Sequence, residues 1–341
     1  MNNNNKIFDS SRQALLESWL RLTLADSDFT LTHLAADAGA RRYLRIKLPD
    51  QTTLVLMDAP GPQNNIRQFV SIAKILSSHE LNVPAIVNTN YQDGLLLLSD
   101  LGDNTFLKTL NNENADKLFD DATSALVKIQ SIVSTTSSLE NYSDEIMAEE
   151  LALFETWYLK EHLKINLEEK NRTHLNNALK LILDRCVNQP MVFTHRDYMP
   201  RNLMVCEENP GILDFQDALM GPISYDVVSL FKDAFISWEE EQILDWTIRY
   251  WEKARQNSLP VPTDFGQFYE DCEWMGLQRH LKVLGIFSRL KHRDGKQHYI
   301  EDAPRFLNYI RKVASRYDAL KPLLVILDQI ENTKHEVRHT F

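Results

Sequence analysis

Three oxygen-bearing side chains stand in a spacing that chemistry can use: Asp197, Asn202 and Asp214. They lie in His195-Arg196-Asp197-Tyr198-Met199-Pro200-Arg201-Asn202 and Ile212-Leu213-Asp214-Phe215-Gln216. Asp197 can accept or orient the proton of an attacking hydroxyl. Asn202 offers a neutral amide oxygen and Asp214 a charged carboxylate to a hard cation such as Mg²⁺, which keeps water or phosphate oxygens in the rest of its shell. Apolar residues flank the segment on both sides, Met191-Val192-Phe193 before it and Leu203-Met204-Val205 after it. Asn202–Val205 and Gly211–Asp214 read as two short strands around a Glu-Glu-Asn-Pro-Gly turn. A hairpin there carries Asn202 and Asp214 back to neighbouring positions.

The elements that must hold these groups can be read from periodicity. Ser10 or Ser11 can cap a helix burying Leu15, Leu16, Trp19, Leu20 and Leu22. Phe29–Leu34 and Tyr43–Leu48 alternate with period two, and Thr53–Met57 is a buried run. A helix with Ile66, Phe69, Val70, Ala73 and Leu76 on one face follows. Ala85–Val87 and Leu95–Leu98 complete an antiparallel sheet with one inserted helix. Ser99-Asp100-Leu101-Gly102-Asp103 breaks the pattern and marks a hinge near 99–103. Beyond it, amphipathic helices are expected near 115–133, 147–162, 173–186, 239–255 and 266–291. The expected fold class is α+β and bilobal, with a small antiparallel-sheet lobe over 1–101 and a large helical lobe over 102–341, an architecture that binds a nucleotide in its cleft.

Composition excludes several functions. The 341 residues are 43% hydrophobic, enough for a sizeable core or two lobes. No stretch approaches the ~18 apolar residues of a membrane span, and Met1–Lys6 lacks the apolar run of a secretory signal. The 48 acidic and 37 basic residues give a net charge of −11, which argues against nonspecific nucleic-acid binding. Cys186, Cys206 and Cys272 are scattered without C-x-x-C spacing and point to reduced thiols in a cytoplasmic protein, with neither a disulfide framework nor a zinc site.

On these residues the chain resembles the aminoglycoside phosphotransferase and choline kinase-like superfamily, whose fold protein kinases share, over nearly its whole length. Within it, the chain is similar to the anomeric amino-sugar kinases of peptidoglycan recycling. That narrower likeness rests on Ala40-Arg-Arg-Tyr-Leu-Arg45, Met57-Asp-Ala-Pro60, Leu98-Ser-Asp-Leu-Gly102, His195–Asn202 and Gln278-Arg-His-Leu-Lys-Val-Leu-Gly-Ile-Phe-Ser-Arg289. The resemblance implies ATP-dependent phosphorylation of N-acetylmuramate or N-acetylglucosamine at C1, with ATP and Mg²⁺ as cofactors and no nucleic-acid or membrane partner. It implies Asp197 as base and Asn202 and Asp214 as metal ligands; a monomeric or weakly associated protein is expected. Arg41, Arg42, Ser99 and Leu101 become candidates for the nucleotide. Other small-molecule kinases of the fold, acting on aminoglycoside, choline or homoserine, and a nucleotide-binding pseudokinase are the rival readings.

There are departures from the protein-kinase pattern. Asp37-Ala-Gly-Ala-Arg-Arg42 replaces a glycine-rich loop. Met57 stands where a strand lysine is expected, and Asn65–Ser77 carries no Glu or Asp to pair with one. Arg41, Arg42, Arg45 and Lys47 are the cations left to meet phosphate. Asp217 either joins the metal, binds a sugar hydroxyl or caps a helix ahead of Gly221-Pro222. Trp157, Trp238 and Trp274 either stack on a sugar or belong to the core. Arg279 and His280 either read a lactyl carboxylate or an N-acetyl oxygen, or sit on a solvated helix face. Gly276 and Gly285 in the same helix suggest close packing.

Overall fold

The computed structural model describes residues 10–34, 41–61, 66–133 and 139–338, with side chains to Glu331. The asparagine-rich start and residues 37–40 of the basic loop lie outside the described residues. The chain divides into two compact units, Met1–Lys74 with Pro84–Leu101, and Ile75–Val83 with Gly102–Phe341.

The first unit holds α1 (Ser10–Thr23), β1 (Thr30–His33), β2 (Arg42–Lys47), β3 (Thr53–Asp58), most of α2 (Ile66–Ser78), β4 (Ile86–Asn90) and β5 (Leu95–Ser99). The five strands are antiparallel in the order β1-β2-β3-β5-β4. Alternation in β2 sends Leu44 and Ile46 to one face, where they meet Leu56, Leu95 and Leu97, with Leu16 and Leu20 of α1 packed over them. Leu22 is 80% exposed, against expectation. At about 100° per residue, it lies roughly 200° around the helix from Leu20 and faces away from the sheet.

Met57 is fully buried between Tyr43 of β2 and Leu96 of β5. The position that a lysine would occupy in a protein kinase is thus a packing position. Met57→Ala should cost about 2–5 kcal/mol of stability through the cavity it leaves. Urea unfolding checks this; an unchanged midpoint would show that the site collapses without loss.

The second unit is mostly helical: α3 (Phe106–Thr109), α4 (Ala115–Gln130), α5 (Asp144–Leu153), a π-helix (Phe154–His162), α6 (Glu169–Val187), α7 (Tyr225–Phe231), α8 (Glu240–Gln256), α9 (Phe265–Asp294), α10 (Ala303–Ala314) and α11 (Lys321–Arg338). Residues 75–83 group with it because Asn82 carries two bonds there. Its carbonyl accepts from Ile212 N–H at 2.8 Å, and its amide donates to Glu208 O at 2.7 Å. Four short strands interrupt the helices: β6 (Met191–Thr194), β7 (Leu203–Met204), β8 (Gly211–Ile212) and β9 (Leu219–Pro222). β9 was not legible as a strand; Gly221-Pro222 looked like a helix start. It pairs antiparallel with β6, and Pro222 stands at the end of that ladder, where its missing N–H costs little.

The 30-residue α9 runs through the helical core, with 17 residues buried. A Cβ on Gly285 would lie 2.5 Å from the Leu153 backbone, so only glycine permits this approach to the end of α5. Gly276 differs, since its nearest neighbour would be 3.7 Å away. Gly285→Ala should therefore destabilise by about 1–3 kcal/mol, and Gly276→Ala should not. Thermal melts of the pair check the contrast; equal shifts would contradict it. Trp274 is core, 2% exposed, with its ring 5.1 Å from Tyr317 and its N–H on Glu270. Among the described residues no helix is long and apolar enough to cross a membrane.

Candidate active site

The loop after β6 is held from below by one carboxylate. Asp226, buried in the first turn of α7, accepts the backbone N–H of His195 at 2.7 Å and of Arg196 at 2.9 Å. Burial pushes its carboxyl up to about 7, with those two donors and Arg279 pulling the other way. The clamp turns Arg196 into the left-handed region, φ 75°. His195 spends both ring nitrogens on the backbone. Nε2 faces Leu213 O at 3.0 Å, and Nδ1 faces the Asp197 N–H at 3.2 Å. Nε2 must therefore donate and Nδ1 accept, which fixes a neutral tautomer. Burial lowers His195 to about 4 and agrees with this. The histidine pins the loop and has no proton to trade.

The Asp197 carboxylate makes no hydrogen bond or ion pair with the described residues, although it is only half-buried. Its backbone carbonyl accepts from Asn202 Nδ2 at 2.9 Å, which turns Asn202 so that Oδ1 remains to bind something else. Asn202 closes a short 3₁₀ turn, Pro200–Asn202, and its carbonyl accepts from Leu213 N–H at 2.9 Å. That bond prolongs the β7–β8 ladder, in which Leu203 faces Ile212. The strands are only two residues each, yet they bring Asn202 alongside Leu213-Asp214. Asp214 sits at φ 62° and Gln216 clips it, donating to Asp214 Oδ1 at 2.8 Å and to Asp217 Oδ2 at 3.1 Å. Exposed Asp217 is thereby drawn towards Asp214. One amide oxygen and two carboxylates form a hard donor set that suits Mg²⁺ completing its shell with water and phosphate oxygens. Among the described residues no group of three or more His, Cys, Asp and Glu forms a full metal cage.

Beneath the loop lies a charge network that sequence reasoning missed. Glu150 of α5 accepts from Arg196 at 2.6 Å, Lys282 at 2.7 Å, Gln278 at 3.2 Å and the Tyr142 hydroxyl. Burial opposes its charge, but Lys282 and Arg196 outweigh this and hold the carboxyl below the usual range. The available signal was an acid on an apolar helix face: Glu150 lies between Met147, Leu151 and Phe154, all buried. Arg279 belongs to the same scaffold. It is 5% exposed and donates to Arg196 O at 3.3 Å and Tyr225 OH at 3.1 Å. Arg279, a candidate carboxylate reader, thus bonds the loop after β6, and the alternative of a solvated face gives way to burial.

The basic residues of the first unit are also largely spoken for. Arg42 and Arg12 both pair with fully buried Asp58, Arg12 at 2.6 Å. Arg45 forms a two-pronged contact with Asp100, at 2.5 and 3.0 Å. These carboxylates already answer the charges expected to meet phosphate. Arg41 makes no ion pair with the described residues. Ser99 ends β5 and its Oγ accepts from Ala85 N–H at 2.8 Å, while Leu101 closes the unit.

Trp157 is half-buried on the π-helix. His280, 2% exposed, stacks on Tyr309 with ring centroids 4.9 Å apart, and Nε2 donates to Lys232 O at 3.3 Å. Burial lowers it from 6.5 to about 3. Such a histidine adds stability above pH 6.5 that is lost as pH falls towards its folded value. Buried Asp226 and Asp233 shift upward and act with the opposite sign, so the test is a difference. Relative to His280→Gln, the wild type should lose up to about 1.4 kcal/mol per pH unit between pH 6.5 and 4. Denaturation midpoints of both proteins across that range check it; a constant gap would contradict it.

The model of the phosphotransferase enzyme family matches residues 30–260. An N-acetylmuramate/N-acetylglucosamine kinase of Neisseria meningitidis is 44% identical over 323 residues, covering 94% of this chain and 96% of that protein. One of Pseudomonas aeruginosa is 45% identical over 289 residues, covering 85% of each. Among solved structures, a choline kinase from Cryptosporidium parvum superposes with TM-score 0.64 at 13% identity, covering 92% of this chain and 99% of that one. An ADP-bound aminoglycoside phosphotransferase gives 0.60 at 16%, covering 90% and 99%. The fold is theirs, the bilobal α+β class expected from the sequence. With a family match over two-thirds of its length and a 44% identical relative over nearly all of it, the chain belongs to the phosphotransferase enzyme family.

Proposed function

We propose that the protein transfers the γ-phosphoryl group of ATP to the anomeric hydroxyl of N-acetylmuramate and N-acetylglucosamine, salvaging cell-wall amino sugars as 1-phosphates. The observation that carries this is near full-length identity of 44% to a kinase named for those two sugars. The loop geometry supports it. Asp197, whose carboxylate has no partner among the described residues, accepts the proton of the C1 hydroxyl as its oxygen attacks phosphorus and the bond to ADP breaks. Asn202 Oδ1 and Asp214, with Asp217 beside it, would hold Mg²⁺. Bound there, Mg²⁺ supplies charge neutralisation of the phosphates. His195, Asp226 and the Glu150 network keep the loop in position. Arg41 remains the candidate phosphate contact in the first unit, with Ser99 and Leu101 the candidate nucleotide contacts.

The test is direct. Pure protein is incubated with ATP, Mg²⁺ and a panel of amino sugars, aminoglycosides, choline and homoserine, and products are read by mass. Phosphorylated N-acetylmuramate and N-acetylglucosamine are expected. Phosphorylation of an amine substrate alone would overturn the assignment.

A further inference from the structure

The helical unit contains a cavity of about 230 Å³ between α8, α9, α10 and the segment after α7. Its lining carries two buried polar atoms without a hydrogen-bond partner among the described residues, and one half-buried lysine. The Lys232 ammonium makes no hydrogen bond or ion pair with the described residues and lies 5.7 Å from the Tyr269 ring centroid. His280 has given its Nε2–H to Lys232 O, so its Nδ1 lone pair is buried without a partner. The Trp238 Nε1–H is likewise buried and unpartnered. A buried donor or acceptor left unmet is costly, so such atoms favour a ligand that meets them. Among the other charges of the wall, exposed Glu239 makes no ion pair with the described residues, and the rest are paired. Lys312 and Arg316 share Glu240, and Arg305 bonds Ala234 O and faces Asp302 at 3.5 Å. Among the described residues, the cation of this wall left without an ion pair is Lys232.

Size limits the occupant. At about 230 Å³ the cavity lies below the ~300 Å³ at which pockets for whole drug-sized ligands begin. It suits a small acidic group. Position limits it further. Lys232 faces the cavity, while its neighbour Asp233, 1% exposed with Oδ1 unpartnered, feels Arg279 and the catalytic-loop Arg201. Likewise Arg279 touches the catalytic loop, and the next residue, His280, lines the cavity. Two adjacent pairs therefore join this wall to the catalytic loop.

We propose that the cavity receives the lactyl carboxylate of N-acetylmuramate, with Lys232 pairing with it, Trp238 Nε1–H donating to it and His280 Nδ1 accepting an N–H or O–H of the sugar. This rests on the function proposed above. N-acetylglucosamine has no carboxylate there, so Lys232 sets the preference between the two sugars. A free small anion such as phosphate would satisfy the same groups and is the competing source.

The test uses the full chain, as wild type, Lys232→Met, Lys232→Arg and Trp238→Phe. The ratio of kcat/KM for N-acetylmuramate over N-acetylglucosamine should fall about 10–100-fold in Lys232→Met, the worth of a charge-assisted contact. It should recover in part in Lys232→Arg and fall less in Trp238→Phe. Calorimetric titration of N-acetylmuramate without ATP should show the same loss of affinity, and this arm reads the cavity even if no sugar is phosphorylated. An unchanged ratio and unchanged affinity in both Lys232→Met and Trp238→Phe would overturn the proposal. So would inorganic phosphate binding that depends on Lys232 while the sugar ratio does not move.

Discussion

Asp197→Asn is expected to lower turnover by about 10²–10⁴ while ATP binding and thermal unfolding stay close to wild type. The separation follows from what each part of this residue does. Its backbone is built into the loop, with the N–H on His195 and the carbonyl on Asn202. Its carboxylate has no partner among the described residues. Asparagine keeps the shape and the backbone bonds, and removes only the carboxylate proposed to receive a proton. Single-turnover kinetics with saturating ATP would isolate the step. Turnover within a few-fold of wild type would take the base assignment away from Asp197.

Asp214→Ala should remove Mg²⁺-dependent nucleotide binding, the second large effect. Asp214 is the charged member of the proposed donor set that includes the Asn202 amide oxygen, and Gln216 holds its carboxylate by donating to one oxygen. Asn202→Ala should weaken binding less, because a neutral donor is lost, although it also frees the Asp197 carbonyl. Asp217→Ala should fall between them if that carboxylate joins the metal. The measurement is the Mg²⁺-dependent rise in melting temperature with ATP. Equal protection of Asp214→Ala and wild type would place the metal elsewhere.

Much of the site was legible because short-range pattern encodes it. Apolar runs around His195–Asn202 announced buried strands, and the Asn-Pro-Gly turn announced the hairpin that seats Asn202 beside Asp214. The five-stranded sheet followed from period-two alternation in the same way. What escaped depends on partners distant in sequence. Arg42 looked available for phosphate until Asp58, sixteen residues on, was found opposite it in the sheet. Arg279 looked like a surface reader until burial of α9 turned it onto the catalytic loop. Glu150 gathers partners from Tyr142 to Lys282, and no local period reveals such a meeting. Helices α10 and α11 were missed although Phe306, Leu307 and Ile310 of α10 keep a helical spacing.

The central claim is that phosphate goes to the anomeric oxygen, and the product's reducing end tests it most directly. After complete conversion of N-acetylglucosamine by the protein with ATP and Mg²⁺, a reducing-sugar assay should find no free hemiacetal. The phosphorus resonance should couple to the C1 proton, and the 1-O-methyl sugar should not react. A phosphorylated product that keeps its reducing end would contradict the account and leave the chain a phosphotransferase acting at another hydroxyl.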